Sequence, residues 1–121
     1  MVKAIFFDID GTLVSFKTHQ VAKETFATLK KLKEKGYKLF IATGRGKDGL
    51  EVLQDFPFDG YITLNGQYCY SKDKLIYENT IKKEDLQALL DYLKVKPFPC
   101  GFTEENTKYF NMRDERVDEI H

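Results

Sequence analysis

The chain has 121 residues, and its 19 basic and 19 acidic side chains give a formal net charge of zero. A chain of this length can bury the core of one domain, or of one and a half. The balanced charge creates no overall field that would attract nucleic acid or an anionic membrane, so neither is expected as a partner. Any anion must be held by local contacts.

The first part of the chain alternates predicted strands and helices. Val2–Phe7 is a short apolar run typical of a strand buried on both faces. From Thr18 to Lys35 apolar residues recur at helical spacing, and Gly36 follows as a predicted C-cap. Tyr37–Ala42 has the pattern of a second buried strand, and a helix is predicted over Asp48–Asp55.

A third strand is predicted at Tyr61–Leu64, after a turn bracketed by Pro57 and Gly60. This order predicts an α/β fold, with a partial Rossmann-like parallel sheet whose strands are joined by right-handed crossovers. A hairpin should follow, formed by Gln67–Ser71 and Leu75–Tyr77.

A second domain is expected to begin near Thr80. Ile81–Val95 has leucines on one helical face, and Gly101–Thr103 and Tyr109–Met112 are candidate strands. Glu115–His121 has the pattern of the start of a helix, and the acidic pairs Asp114-Glu115 and Asp118-Glu119 are interpreted as a solvated face.

Asp8 and Asp10 directly follow the first predicted strand. Being two residues apart in extended chain, both carboxylates can point toward one pocket, and a hard cation such as Mg²⁺ would relieve their repulsion. Gly11 and Thr12 then allow a sharp turn with amide groups available for phosphate oxygens. The alternative is a simple Asp-Gly turn beside a solvated aspartate. The buried strand before the motif favours a site.

Two further polar motifs follow the second and third strands, at the edge where open parallel sheets bind ligands. Thr43 and Gly44 would present a hydroxyl and an open amide to a phosphoryl group, or form an ordinary small-residue turn. Arg45 suits a bidentate phosphate contact but is also a common surface residue. Asn65 precedes Gly66 in a typical hairpin-turn pair, which leaves a substrate contact from its side chain open.

The two cysteines, Cys69 and Cys100, lack the spacing of a zinc site and are expected to be reduced thiols. The apolar run before Asp8 is much shorter than a signal-peptide core or a membrane span. These features predict a cytoplasmic protein.

The segment Ala4–Leu13 resembles the first signature of the haloacid dehalogenase-like (HAD) phosphatase superfamily, and it contains Asp8-Ile9-Asp10-Gly11-Thr12. Ile41–Arg45 is similar to the second signature in the form used by the Cof-type sugar-phosphatase branch. Ile62–Gly66 resembles the Asn-Gly segment that follows in that branch. The resemblance spans about the first 80 residues, and its Asp-x-Asp-Gly-Thr segment is the most specific part.

This resemblance implies a magnesium-dependent phosphatase acting on a small phosphorylated metabolite. Asp8 would be the nucleophile that forms an aspartyl-phosphate, and Asp10 the general acid and base. The Asp8 carboxylate and the Asp10 backbone carbonyl would hold Mg²⁺. Thr43 and Gly44 would bind the phosphoryl oxygens. The substrate side would be lined by Arg45 and Asn65.

The family also requires a later lysine and a later acidic Gly-Asp motif, but no downstream lysine or acidic pair in this sequence lies at the end of a strand that could continue the sheet. The resemblance therefore implies that residues 1–80 are the first half of an HAD-like core and residues 81–121 a truncated α/β cap. The 121-residue chain alone is expected to be nearly inactive. With the later core strands missing, the first strand becomes an edge beside exposed Phe6 and Phe7, which predicts a homo-oligomer formed through that strand or through the partial cap.

Two other functions share features of this sequence. A non-catalytic fragment could bind phosphate or a partner protein through the open sheet. A receiver-type signalling domain also gathers acidic residues after its first strand, but it needs a phosphoacceptor aspartate after a later strand. The second and third strands here end in Thr43 and Asn65, which disfavours a receiver domain.

Overall fold

The structure is a computed structural model that describes residues 1–72, 74–104 and 107–112. The chain divides into two compact units, Met1–Asn79 and Thr80–His121. Among the described residues, neither α-helix is long and apolar enough to cross a membrane.

The first unit is built on one five-stranded sheet. Its strands are β1 Ala4–Phe7, β2 Lys38–Ala42, β3 Gly60–Thr63, β4 Tyr68–Ser71 and β5 Lys74–Glu78. They lie in the order β1-β2-β3-β4-β5, with β1, β2 and β3 parallel and the last two pairings antiparallel. The predicted α/β fold is confirmed. The sheet as a whole is mixed, because the predicted hairpin pairs with β3 and extends it.

Helix α1, Lys23–Glu34, packs against the core side of the sheet. Its Leu29 lies in one cluster with Leu39 and Ile41 of β2, and all three are almost completely buried. The helix begins five residues later than the predicted Thr18 start, because Val21 forms an antiparallel bridge with Val14. Burying this valine pair holds the preceding segment in a turn.

Two predictions about the first unit are wrong. The helix predicted over residues 48–55 is two short 3₁₀ helices, Lys47–Gly49 and Glu51–Leu53, because Gln54 and Asp55 take left-handed conformations with φ of 51° and 59°. Strand β1 is also not buried on both faces. Its Phe6 is 56% exposed, since the helix covers only the opposite face.

The second unit contains helix α2, Lys83–Val95, and a hairpin of β6 Gly101–Thr103 and β7 Lys108–Phe110. Strand β7 ends before the predicted Met112, where the Asn111 side chain accepts the Cys100 N–H and donates to the Phe98 carbonyl. The predicted terminal helix, Glu115–His121, lies outside the described residues.

Candidate active site

The three parallel strands bring their carboxyl ends to one edge of the sheet. Phe7 of β1 pairs with Ile41 of β2, and Ala42 of β2 pairs with Ile62 of β3. The residues that follow each strand are therefore neighbours. This register collects the polar motifs of the sequence at one end of the sheet.

Asp8 and Asp10 flank a buried anchor. Ile9 between them is fully buried, and its carbonyl accepts the N–H groups of Thr12, Leu13 and Val14 at 3.2, 3.0 and 2.9 Å. Both aspartates are exposed on either side of it. One oxygen of Asp8 accepts the Ile9 N–H at 2.8 Å. The turn thus fixes the backbone while both aspartates remain exposed.

Gly11 has a φ of +82°, a conformation that a side chain disfavours. Its N–H donates to the Val14 carbonyl at 2.9 Å, and the Thr12 N–H donates to the Ile9 carbonyl. Both predicted phosphate-binding amides are therefore engaged within the turn in this structure. Their role toward phosphate stays a prediction.

Arg45 forms a bidentate ion pair with Asp10. Its Nη2 donates to Asp10 Oδ1 at 2.7 Å, and its Nε donates to Oδ2 at 3.0 Å. The hydrogen bonds from Arg45 hold the pKa of the Asp10 carboxyl below its ordinary value, since they stabilise the ionised form more than partial burial disfavours it. The sequence interpretation placed Arg45 toward substrate and missed this partner.

The rest of Arg45 is fixed by the neighbouring strand ends. Its backbone N–H donates to Thr43 Oγ1 at 3.0 Å, and its carbonyl accepts the Leu64 N–H at 3.0 Å. Its Nη1 donates to the Gly49 carbonyl at 2.8 Å. Arg45 therefore connects the residues that follow all three parallel strands.

Thr43, Gly44 and Asn65 lie together at the ends of β2 and β3. Thr43 is buried, and its carbonyl accepts the Asn65 N–H at 3.1 Å. A Cβ atom added to Gly44 would lie 3.1 Å from Asn65 Oδ1, so the absence of a side chain there leaves room for the asparagine. Asn65 belongs to a 3₁₀ turn before β4, with φ 55° and ψ 34°. It combines the turn role with a side chain that lies against Gly44.

The oxygen donors at these strand ends suit Mg²⁺ in type but are few. Asp8 offers an exposed carboxylate, whereas the Asp10 carboxylate is already paired with Arg45. Within the part of the chain that the structure describes, no group of three or more His, Cys, Asp or Glu residues is placed to hold a metal ion. The Asp8 carboxylate and the Asp10 backbone carbonyl are oxygen donors of the type that Mg²⁺ prefers.

Comparison with known proteins identifies similar chains. A model of the haloacid dehalogenase-like hydrolase family matches residues 5–121. The HMP-PP phosphatase of Klebsiella pneumoniae is 33% identical over 93 residues, which cover 74% of this chain and 34% of that protein.

Solved structures of phosphatases resemble the whole chain. The HAD subclass IIB sugar phosphatase BT4131 shares 44% identity with a TM-score of 0.82, over 98% of this chain and 47% of that one. The phosphatase BT1666 from Bacteroides thetaiotaomicron shares 32% identity with a TM-score of 0.85, over 99% of this chain and 45% of that one. The chain thus spans less than half the length of these relatives.

Proposed function

The chain belongs to the haloacid dehalogenase-like hydrolase family, and from this premise we propose that it supplies the nucleophile-bearing part of a magnesium-dependent phosphatase. The observation that carries the proposal is the exposed carboxylate of Asp8, directly after β1 and beside the end of β2 with Thr43 and Gly44. A nucleophile there can reach a phosphoryl group held at the strand ends.

In the proposed reaction, an Asp8 oxygen attacks the phosphorus atom of a phosphomonoester. The bond from phosphorus to the leaving oxygen breaks, and Asp10 gives that oxygen a proton. Water then attacks the phosphorus atom of the aspartyl-phosphate while Asp10 takes a proton from that water. The bond from phosphorus to the Asp8 oxygen breaks, which releases phosphate and restores Asp8. The Arg45 ion pair favours the ionised form of Asp10, which suits its role as the base of the second step. Its role as the acid requires the ion pair to loosen.

Magnesium, held by the Asp8 carboxylate and the Asp10 backbone carbonyl, would neutralise charge on the transferring group. Thr43 and Gly44 would orient the phosphoryl oxygens, with Asn65 beside them. Gly11 and Thr12 would contribute amides if the turn that now engages them relaxes.

The proposed substrates are small phosphorylated metabolites, and sugar phosphates are included because one similar structure is that of a sugar phosphatase. We place the activity in the cytoplasm on the sequence features alone. Residues 1–80 would be the first half of the catalytic core, and residues 81–121 part of an α/β cap.

The test uses a chimera in which this chain replaces the matching segment of the sugar phosphatase BT4131, 47% of that protein. We expect hydrolysis of p-nitrophenyl phosphate, and a loss of kcat of about a thousandfold or more in Asp8→Asn. Asp85→Asn makes the same chemical change at an exposed site in α2 and should alter kcat by less than about twofold.

A folded chimera, verified by circular dichroism, that retains substantial activity after Asp8→Asn would contradict the nucleophile assignment. The 121-residue chain by itself should be nearly inactive, because one carboxylate and one backbone carbonyl form a poor magnesium site. Robust magnesium-dependent turnover by that chain would show that the essential groups lie elsewhere.

A second candidate is a non-catalytic module that binds phosphate or a partner protein. The ion pair that engages the Asp10 carboxylate favours it. A chimera without turnover, combined with phosphate binding by the chain, would select this function instead.

We also propose that the chain self-associates, through the edge of β1 or through the second unit. Strand β1 lies at one edge of the sheet, and its Phe6 is 56% exposed. Pairing with another copy would give hydrogen-bond partners to the unpaired backbone groups along that edge.

A further inference from the structure

The segment between β1 and α1 is folded rather than open. After the turn on Ile9, Val14 and Val21 form an antiparallel bridge and are 3% and 6% exposed. Beyond this bridge, the Ser15 N–H donates to the Gln20 carbonyl at 3.3 Å. These contacts define a short projecting tip, Ser15–Gln20, that is anchored by two buried valines.

Phe16 in this tip is 72% exposed, although its side chain is large and apolar. Its ring lies directly over Gly11: a Cβ atom built there would be 2.6 Å from Cε2 and 2.7 Å from Cζ of the ring. Gly11 is the neighbour of Asp10. The fold therefore places a solvent-facing aromatic ring one residue from a candidate catalytic group.

The cavity on this segment combines apolar and hydroxyl groups. It has a volume of about 530 Å³, and its lining includes Gly11, Thr12, Phe16 and the hydroxyl residues Ser15 and Thr18. An aromatic face can pack against the C–H face of a ring, while hydroxyl groups can bond to polar substituents. This lining suits a cyclic group that carries hydroxyls.

We propose that Phe16 is a substrate-contacting residue that forms an apolar wall for the leaving group, favouring phosphomonoesters of ring-shaped alcohols over those of small open-chain alcohols. The inference rests on the proposed function. The leaving oxygen must lie beside Asp10 to receive its proton, and the Phe16 ring lies over the adjacent Gly11, where the body of the leaving group would meet it. Contact with that body would remove the exposed ring from water.

The experiment measures binding to the ¹⁵N-labelled 121-residue chain with Mg²⁺ present, using phenyl phosphate, methyl phosphate and inorganic phosphate as probes. Amide shifts of residues 8–12 and 43–46 report affinity. We expect phenyl phosphate to bind about three- to tenfold more tightly than methyl phosphate, the range of one aromatic contact. In Phe16→Ala this ratio should fall to about one, with methyl phosphate and inorganic phosphate affinities unchanged.

Two further variants test whether the affinity ratio depends on the aromatic ring of Phe16. Phe16→Leu keeps an apolar side chain without a flat face and should give an intermediate ratio. Tyr109→Ala removes another exposed aromatic, 53% exposed in β7, and should leave the ratio unchanged. Because Phe16 is exposed, its variants should fold, and amide spectra outside the tip verify this.

The outcomes separate this inference from the proposed function. A ratio that is the same in the original chain and in Phe16→Ala overturns the role of Phe16 alone. If none of the three probes shifts the amides of residues 8–12, the proposed phosphoryl site fails and the inference fails with it.

Discussion

Arg45 makes a polar contact through its backbone N–H, its carbonyl and all three guanidinium nitrogens. Its partners come from the residues after β1, β2 and β3 and from the first 3₁₀ helix. A guanidinium has a fixed fork of donors, so it holds a carboxylate in one orientation where a lysine ammonium would not. Arg45 therefore sets the orientation of Asp10 in this structure.

The Arg45–Asp10 pair predicts a pH-dependent contribution to stability. The folded-state pKa of Asp10 is lowered from 3.8, so the contribution is present above that value and is lost as pH falls through the lower, folded-state pKa. Asp10→Asn should reduce the free energy of unfolding by about 0.5 kcal/mol at pH 7, a small effect because the Asp10 side chain is 47% exposed and screened by water. Urea unfolding followed by circular dichroism from pH 7 down to about pH 2 measures it.

A double-mutant cycle is the control for this prediction. In an Arg45→Gln background, Asp10→Asn should have little effect at any pH, because the ionic partner is gone. An equal effect in both backgrounds, or one that grows as the pH falls, would contradict the pairing.

For the residues of the candidate site, the sequence predicted the local motif of Asp8 and Asp10 and missed the pairing of Asp10 with the distant Arg45. Asp8 and Asp10 could be found because two carboxylates after an apolar run form a signal within a few residues. The bond from Arg45 to Asp10 spans 35 positions and depends on how β1 and β2 are aligned. That register is a property of the folded sheet.

The turn after β1 depends on Gly11 at a left-handed backbone angle. Gly36 at the end of α1 has a similar φ, +92° against +82°, but a Cβ added there would meet no atom within 4 Å. The two glycines therefore share the conformational requirement and differ in crowding. This makes Gly36 a matched control.

We expect Gly36→Ala to lower the free energy of unfolding by about 1 kcal/mol through backbone strain alone. Gly11→Ala should cost about 1–2 kcal/mol, because the new methyl also displaces the Phe16 ring. The excess is small since the atoms that must move are at the free end of an exposed side chain. Chemical unfolding of the two variants gives both values.

The excess cost should disappear when Phe16 is first replaced by alanine. If Gly11→Ala remains more costly than Gly36→Ala in the Phe16→Ala background, crowding by the ring is not its cause. A Gly11→Ala variant as stable as the original chain would show that a side chain at position 11 does not strain the turn.

Elements were predictable where periodicity was strong and unpredictable where single residues broke it. Apolar spacing indicated α1, and short, mostly apolar runs indicated β1 and β2. The region of the 3₁₀ helices was misassigned because Gln54 and Asp55 adopt left-handed angles without the glycine that usually signals them. Similarly, the late start of α1 follows from the valine bridge, which is a tertiary contact.

The sheet of the first unit has two edges of different character. Strand β5 has a charged residue at each end, Lys74 and Glu78. Its pairing with β4 has an irregularity between Cys69 and Tyr70. Charges and bulges are features that hinder pairing with another chain. Strand β1 pairs regularly with β2, and its four residues carry no charge. The β1 edge therefore lacks the features that protect the β5 edge. Its backbone groups stay exposed to water unless another strand pairs with it.

We accordingly predict that light scattering at high concentration shows a dimer or a larger assembly. Phe6→Lys places a charge beside the β1 edge and should shift the chain toward monomer. Ile76→Lys makes a comparable change in β5, where Ile76 is 64% exposed, and should leave the assembly intact. If the assembly persists in Phe6→Lys but is lost when residues of the second unit are changed, the contact between copies lies in the second unit.

Hydrogen exchange tests the same prediction residue by residue along β1. The Lys38 N–H donates to the Lys3 carbonyl at 2.8 Å, and in a parallel ladder this register directs the amides of Ile5 and Phe7 toward β2. The amides of Ala4 and Phe6 then face away from the sheet. If another copy pairs along this edge, they should exchange slowly in the assembly and rapidly in the Phe6→Lys monomer, whereas those of Ile5 and Phe7 should remain protected in both. A compact monomer at high concentration, with Ala4 and Phe6 amides exchanging as fast as those of a loop, would show that the β1 edge stays open in water.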